Sequence, residues 1–184
     1  MKPSDLFFAI STGPRRRRRI LTPVGLVVFF GLFALVIWGG LRTDRSFSLP
    51  ALLPGLSGAL IGLSLFIVGA LVWARCVVLF ARAAGTPVPF NPPRSLVLIG
   101  PYALVRNPML LGVLACLFGL GVLLHSIGVV ALSVLFLTLN VFSVILIEEP
   151  VLERTFGAEY TQYKRRVPRF LPSIVSRRAA RAVA

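Results

Sequence analysis

The stretch Gly100-Pro-Tyr-Ala-Leu-Val-Arg-Asn-Pro-Met109 and the pair Glu148-Glu149 enclose the apolar C-terminal part of this chain. The first stretch opens one apolar run, and the glutamate pair closes the next. If the two runs form a membrane hairpin, its ends lie side by side on one face of the bilayer. Arg106 would then meet the two glutamates at the membrane boundary. Charged groups are costly there, so such a cluster indicates a functional site.

The composition places the chain among integral membrane proteins. Its 184 residues are 57% apolar and 14% charged, with a mean hydropathy of +0.88, whereas globular proteins carry about 25% charged residues. Apolar runs of about 20 residues match a hydrocarbon core of about 30 Å, and four such runs occur, at 21–41, 51–74, 107–124 and 127–147. We therefore predict an all-α polytopic membrane protein with about four transmembrane helices, the last two forming a C-terminal hairpin.

The segments between and after these runs also carry predictions. Four prolines within Gly85-Thr-Pro-Val-Pro-Phe-Asn-Pro-Pro93 exclude a regular helix and favour a semi-rigid loop. A helix is expected to continue from Glu148 to about Tyr163, because Glu149, Leu152, Phe156 and Tyr160 recur at helical spacing. The segment Val167-Pro-Arg-Phe-Leu-Pro172 is predicted to be an anchored turn. His125 is predicted to lie in the turn between the third and fourth spans.

The net charge of +14 lies in segments that flank the apolar runs. Arginines fill positions 15–19, and further basic residues follow the last run. This pattern marks the cytoplasmic side of membrane proteins, and no aromatic-basic motif for nucleic acid accompanies it. With four spans, both termini and the charged cluster are predicted to be cytoplasmic, in a bacterial inner membrane. Cys76 and Cys116 have no metal-site or disulfide spacing and are interpreted as packing residues.

The predicted cluster offers a cation in Arg106, carboxylates in Glu148 and Glu149, an amide in Asn107 and a phenol in Tyr102. It would open to both cytosol and lipid, which suits a polar cofactor and an apolar substrate. The sequence contains no P-loop or dinucleotide fingerprint and no Ser/His/Asp or Cys/His set. The simpler interpretation, in which the glutamates cap the membrane boundary and pair with arginines, stays open.

Three motifs in this region resemble a known group of membrane enzymes. They are Gly100-Pro-Tyr-x-x-Val-Arg-Asn-Pro-Met-x-x-Gly112, then Glu148-Glu-x-x-Leu-x-x-x-Phe-Gly-x-Glu-Tyr-x-x-Tyr163, then Val-Pro-Arg-Phe-x-Pro172. Together they are similar to the isoprenylcysteine carboxyl methyltransferases and phospholipid N-methyltransferases. The resemblance covers about residues 85–172.

The resemblance implies an enzyme that uses S-adenosylmethionine, bound in a pocket at the cytoplasmic face. It implies catalytic roles for Arg106, Glu148 and Glu149. The cofactor-binding residues that it implies are Tyr102, Arg106, Asn107, Pro108, Gly112, Glu148 and Glu149; no metal site is implied. Asn107 replaces the histidine common in the group and can still form hydrogen bonds, whereas Leu110 replaces a common tyrosine and cannot.

These inferences divide the chain into a basic arm (1–20), two transmembrane helices (21–74), a methyltransferase-like catalytic region (75–172) and a basic tail (173–184). The function expected is methyl transfer to a lipophilic acceptor, either the carboxylate of a prenylated cysteine-like group or a lipid amine. One alternative is an NADPH-dependent reductase of the sterol-reductase type. Another is a non-catalytic membrane protein on the same scaffold. The sequence does not specify the acceptor or the oligomeric state.

Overall fold

The computed structural model describes residues 15–83 and 96–172, and the side chains of the first helix from residue 23 onward. All regular elements in these ranges are helical. They are α1 (Arg15–Phe47), α2 (Leu56–Arg82), α3 (Pro101–Leu104), α4 (Pro108–Leu123), α5 (Ile127–Ser143), a π turn (Val144–Glu148), α6 (Glu149–Phe156) and α7 (Ala158–Arg166). The predictions for 85–93 and for the tail lie outside the described residues.

Three segments are long and apolar enough to cross a membrane: Pro23–Phe47, Leu56–Arg82 and Ile127–Phe156. The remaining predicted span, α4, is a shorter apolar helix of 16 residues. At 1.5 Å per residue it is about 24 Å long, against a hydrocarbon core of about 30 Å. The prediction of an all-α polytopic membrane protein is confirmed, but the two arms of the hairpin differ in length.

The described residues form two compact units. One comprises 15–25, 74–83, 96–109 and 142–172, and the other comprises 26–73 and 110–141. Tyr102, Arg106, Asn107 and the glutamate pair all belong to the first unit. The second unit holds most of the apolar length of the spans.

Glycines allow α2 and α4 to pack closely in the second unit. A Cβ on Gly69 would lie 2.6 Å from the backbone nitrogen of Cys116, and one on Gly119 would lie 2.5 Å from that of Phe66. Both clashes are with backbone, so no side-chain movement relieves them. Gly62 packs on α4 in the same way, since a Cβ on it would clash with Leu123 N, whereas Gly58 lies against the Leu53 carbonyl.

The turn between α4 and α5 contains His125, as predicted. His125 adopts a φ of +53°, and its carbonyl accepts a hydrogen bond from Leu52 N at 2.8 Å. Asp44 accepts hydrogen bonds from the Ser126 hydroxyl and from Gly128 N. The Ser126 hydroxyl in turn accepts from Val129 N. Gly128 N and Val129 N, two backbone donors in the first turn of α5 that lack a partner within the helix, are thereby satisfied.

The predicted helix from 148 to 163 is interrupted at one place. A π turn (Val144–Glu148) leads into it, and Gly157, with a φ of +55°, separates α6 from α7. The glycine permits a positive φ that other residues rarely adopt. Tyr160, Tyr163 and Val167 then form a small core with Leu96, Leu152 and Phe156.

Candidate functional site

The candidate site is a cluster of charged side chains around Glu149. This residue is 4% exposed, and its Oε1 pairs with Arg106 Nη1 at 2.8 Å. Arg169 donates to both carboxylate oxygens, from Nε to Oε1 at 2.7 Å and from Nη2 to Oε2 at 3.0 Å. Lys164 Nζ lies 3.7 Å from Oε2 and 2.6 Å from Glu153 Oε1. One buried carboxylate therefore holds cations from three separate segments.

The backbone before α4 is fixed by the segment that follows α7. Arg106 N donates to Pro168 O at 2.8 Å, and Asn107 N donates to Arg169 O at 3.2 Å. Asn107 Nδ2 donates to the same Arg169 carbonyl at 3.4 Å. The predicted anchored turn at 167–172 is thus confirmed. Because Arg169 binds Glu149 through its side chain and Asn107 through its carbonyl, it links the two predicted parts of the site.

The predicted meeting of Arg106 with the glutamate pair occurs, but the two glutamates differ. Glu149 is held by the cations described above. Glu148 is partly buried, and in residues 15–83 and 96–172 it forms no ion pair or side-chain hydrogen bond. Within the described ranges the cluster therefore contains one neutralised carboxylate and one without an ion-pair partner.

Arg106 also keeps one unused donor. Its side chain is 8% exposed, and its Nε is buried without a hydrogen-bond partner in the described part of the chain. Leaving a buried donor on a charged group without an acceptor is costly. An oxygen of a bound ligand would satisfy it.

A layer of buried tyrosines supports the cluster. The Tyr163 hydroxyl donates to the Tyr102 carbonyl at 2.8 Å, and the Tyr102 ring lies 5.4 Å from that of Phe80. Burial raises the pKa of the Tyr102, Tyr160 and Tyr163 phenols above their ordinary value. All three therefore remain protonated donors at neutral pH.

Two of the remaining predicted residues have roles in helix packing or initiation. Pro108 is fully buried and begins α4, where its missing N–H costs nothing. Gly112 lies in the second unit, where a Cβ would be 2.9 Å from Trp73 N. No group of three or more His, Cys, Asp or Glu side chains among the described residues is placed to hold a metal ion.

Sequence reasoning did not identify Arg169 and Lys164 as partners of Glu149. Arg169 entered the sequence analysis only as part of the segment Val167-Pro-Arg-Phe-Leu-Pro172. The signal was the Val-Pro-Arg-Phe-x-Pro motif itself. Pro168 disfavours helical geometry at Val167, which is extended and ends α7, so the segment that follows can pair with another part of the chain.

Comparison with known proteins identifies one family. The model of the family described as phospholipid methyltransferase matches residues 58–159. That range contains Tyr102, Arg106, Asn107 and both glutamates. It ends before Lys164 and Arg169.

Among curated proteins, the cobalt-zinc-cadmium resistance protein CzcN of Cupriavidus metallidurans is 32% identical over 148 residues. The alignment covers 80% of this chain and 62% of that protein. The chain thus spans less than two thirds of the length of this relative. No solved structure matches the chain significantly.

Proposed function

The chain belongs to the phospholipid methyltransferase family, and from that membership we propose that it transfers a methyl group from S-adenosylmethionine to a lipophilic acceptor within the membrane. The observation that carries the proposal is that the two adjacent glutamates differ in their ion pairing. Glu149 is neutralised by Arg106 and Arg169, whereas the adjacent Glu148 has no ion-pair partner in the part of the chain that the structure describes.

The available groups fit the cofactor. S-adenosylmethionine carries an amino group and ribose hydroxyls, which a carboxylate such as Glu148 can bind, and a carboxylate, which the free Arg106 Nε–H can bind. One acceptor and one donor, both without partners among the described residues, thus have complementary groups on one ligand. When bound, the cofactor supplies an electrophilic methyl group on a positively charged sulfur.

The residues of the chain have distinct roles in this proposal. Glu148, Arg106, Asn107 and Tyr102 bind the cofactor, and Pro108 begins the helix that follows Asn107. Glu149 acts indirectly, because it fixes the guanidinium of Arg106. Its own charge is already satisfied by Arg106 and Arg169.

The chemistry needs positioning and exclusion of water more than it needs a catalytic dyad. When a sulfonium reacts with an anion or a neutral amine, charge is cancelled or dispersed in the transition state, so a dry site favours the reaction. An amine acceptor must also lose a proton. Glu148, which has no ion-pair partner among the described residues, can accept it. The membrane spans of the chain bring lipophilic acceptors to the same enzyme.

The test is binding of S-adenosylmethionine and of NADPH, each separately, to detergent-purified protein by calorimetry. We expect saturable binding of S-adenosylmethionine and none of NADPH. E148Q should weaken binding at least about tenfold, since hydrogen bonds to charged groups contribute about 1.5–3 kcal/mol. E159Q, at an exposed position on α7, is the matched control and should bind like the wild type.

Three results would contradict the proposal. Folded protein that binds neither ligand favours the non-catalytic scaffold. Binding of NADPH alone favours the reductase. Equal affinities of E148Q and E159Q for S-adenosylmethionine would mean that Glu148 has no specific role.

A further inference from the structure

We propose that Pro150 is a positioning residue: through the π turn before it, Pro150 determines which of the two glutamates is held by the arginines and which is left for a ligand. That the ligand is S-adenosylmethionine rests on the proposed function. The assignment of the two glutamates rests only on the geometry of the helix.

The π turn lies immediately before the glutamate that the arginines hold. Glu149 N donates to Val144 O, five residues earlier, instead of to the carbonyl four residues earlier as in an α-helix. The next residue is Pro150. It has no N–H to donate, and in a regular helix its ring would clash with the carbonyl of Leu146. A widened turn relieves that clash.

The widened turn changes the direction in which later side chains project. Successive residues of an α-helix differ by about 100°, and a π turn acts as an insertion of one residue into that series. Glu149 therefore takes the angular position that Glu148 would have in an uninterrupted helix. That position faces Arg106 and Arg169, which both bind Glu149.

Because residues 148 and 149 are both glutamates, a shift of the helix by one residue changes which of them faces the arginines. If Pro150 were replaced by alanine, residue 150 could donate to Leu146 O, and the helix could return to regular α geometry. Glu148 would then occupy the position facing Arg106 and Arg169. Glu149 would become the unpaired carboxylate, so the two residues would exchange roles while the ion cluster stays intact.

The exchange can be measured without any assay of function. E148Q and E149Q are each made in the wild-type and P150A backgrounds, and thermal unfolding is followed in detergent. In the wild type, E149Q should lower Tm by about 5 °C or more, because it leaves the buried Arg106 and the half-buried Arg169 without their anion, and E148Q should change Tm by less than about 2 °C. In P150A the order should reverse. The same order in both backgrounds would overturn the proposal.

A compensated variant covers the case in which P150A does not fold. Deleting Ile147 together with P150A removes the extra residue and restores a regular helix, yet keeps Glu149 facing the arginines. This variant should fold and show the wild-type order, with E149Q the more destabilising substitution. The reversed order in this variant, or failure of both P150A and the compensated variant to fold, would overturn the proposal.

Binding of S-adenosylmethionine to the same variants separates the proposed role of Pro150 from the proposed function of the protein. In the wild type, E148Q should weaken binding at least about tenfold, and in P150A that loss should move to E149Q. If the order of Tm values reverses and no variant binds S-adenosylmethionine, the register is supported and the proposed function fails. If binding occurs but E148Q remains the weaker binder in P150A, Pro150 does not set the register.

Discussion

At the scale of single residues, Arg169 is the side chain that joins the site. It donates two hydrogen bonds to Glu149, and its carbonyl accepts two from Asn107. The hydrogen bond to Glu149 raises the pKa of the Arg169 guanidinium above its ordinary value. A lysine has the same charge but cannot make the paired contact with both carboxylate oxygens.

We predict that R169A destabilises the protein by about 1–2 kcal/mol, because the buried Glu149 loses its bidentate partner while Arg169 itself is partly screened by solvent. R169K should fall between R169A and the wild type. R165A removes an exposed arginine of the same helical region and should change stability by less than about 0.5 kcal/mol. Chemical unfolding in detergent measures all three. Equal stability of R169A and R165A would show that Arg169 does not hold the cluster.

Tyr163 gives a second prediction at this scale. Its hydroxyl donates to the Tyr102 carbonyl in a buried position. In Y163F that carbonyl loses its donor, so we expect a loss of about 1–2 kcal/mol in the free energy of unfolding. Because Phe keeps the ring and its packing, a loss above about 4 kcal/mol would require another cause, and no loss would mean that water replaces the hydroxyl.

At the scale of elements, the spans were predictable and the interruptions were not. Hydropathy located α1, α2, α4 and α5, since apolar length decides which segments enter a membrane. The break at Gly157 and the π turn depend on single residues, Gly157 and Pro150, inside an otherwise helical pattern. The helical spacing of apolar residues is judged over many positions and is insensitive to one glycine or proline, so it predicted one continuous helix.

The close packing of α2 against α4 gives a prediction at this scale. In G119A the new methyl group would lie 2.5 Å from Phe66 N, so we expect a loss of about 1–3 kcal/mol through overpacking. G31A is the matched control on α1, where a Cβ meets nothing within 4 Å. It should be neutral or slightly stabilising, because Ala favours helix over Gly. Thermal unfolding of both variants checks this, and equal Tm values would contradict the packing.

At the scale of the whole molecule, sequence reasoning brought together only part of the site. The hairpin argument placed Arg106 near Glu148 and Glu149, which are more than 40 residues away in sequence, because two apolar runs of similar length return the chain to its starting depth. It could not place Lys164 and Arg169, since the direction of α7 depends on the positive φ of Gly157. It also could not say which glutamate would be paired.

The orientation in the membrane is a prediction from the positive flanking charges. With exposed cysteines introduced one at a time, Q162C should react with a membrane-impermeant maleimide in inside-out vesicles. L124C should react in right-side-out vesicles. The native Cys76 and Cys116 are buried and provide a low background. The opposite labelling pattern would place the site on the outer face.

The most direct test of the central claim is transfer of a labelled methyl group from S-adenosylmethionine into organic-extractable lipid. The purified protein is reconstituted in vesicles of bacterial membrane lipid extract. We predict that the wild type and E159Q form labelled lipid and that E148Q loses at least about 90% of the activity. Folded wild-type protein that binds the cofactor yet transfers no label would contradict the account, as would transfer by E148Q at the wild-type rate.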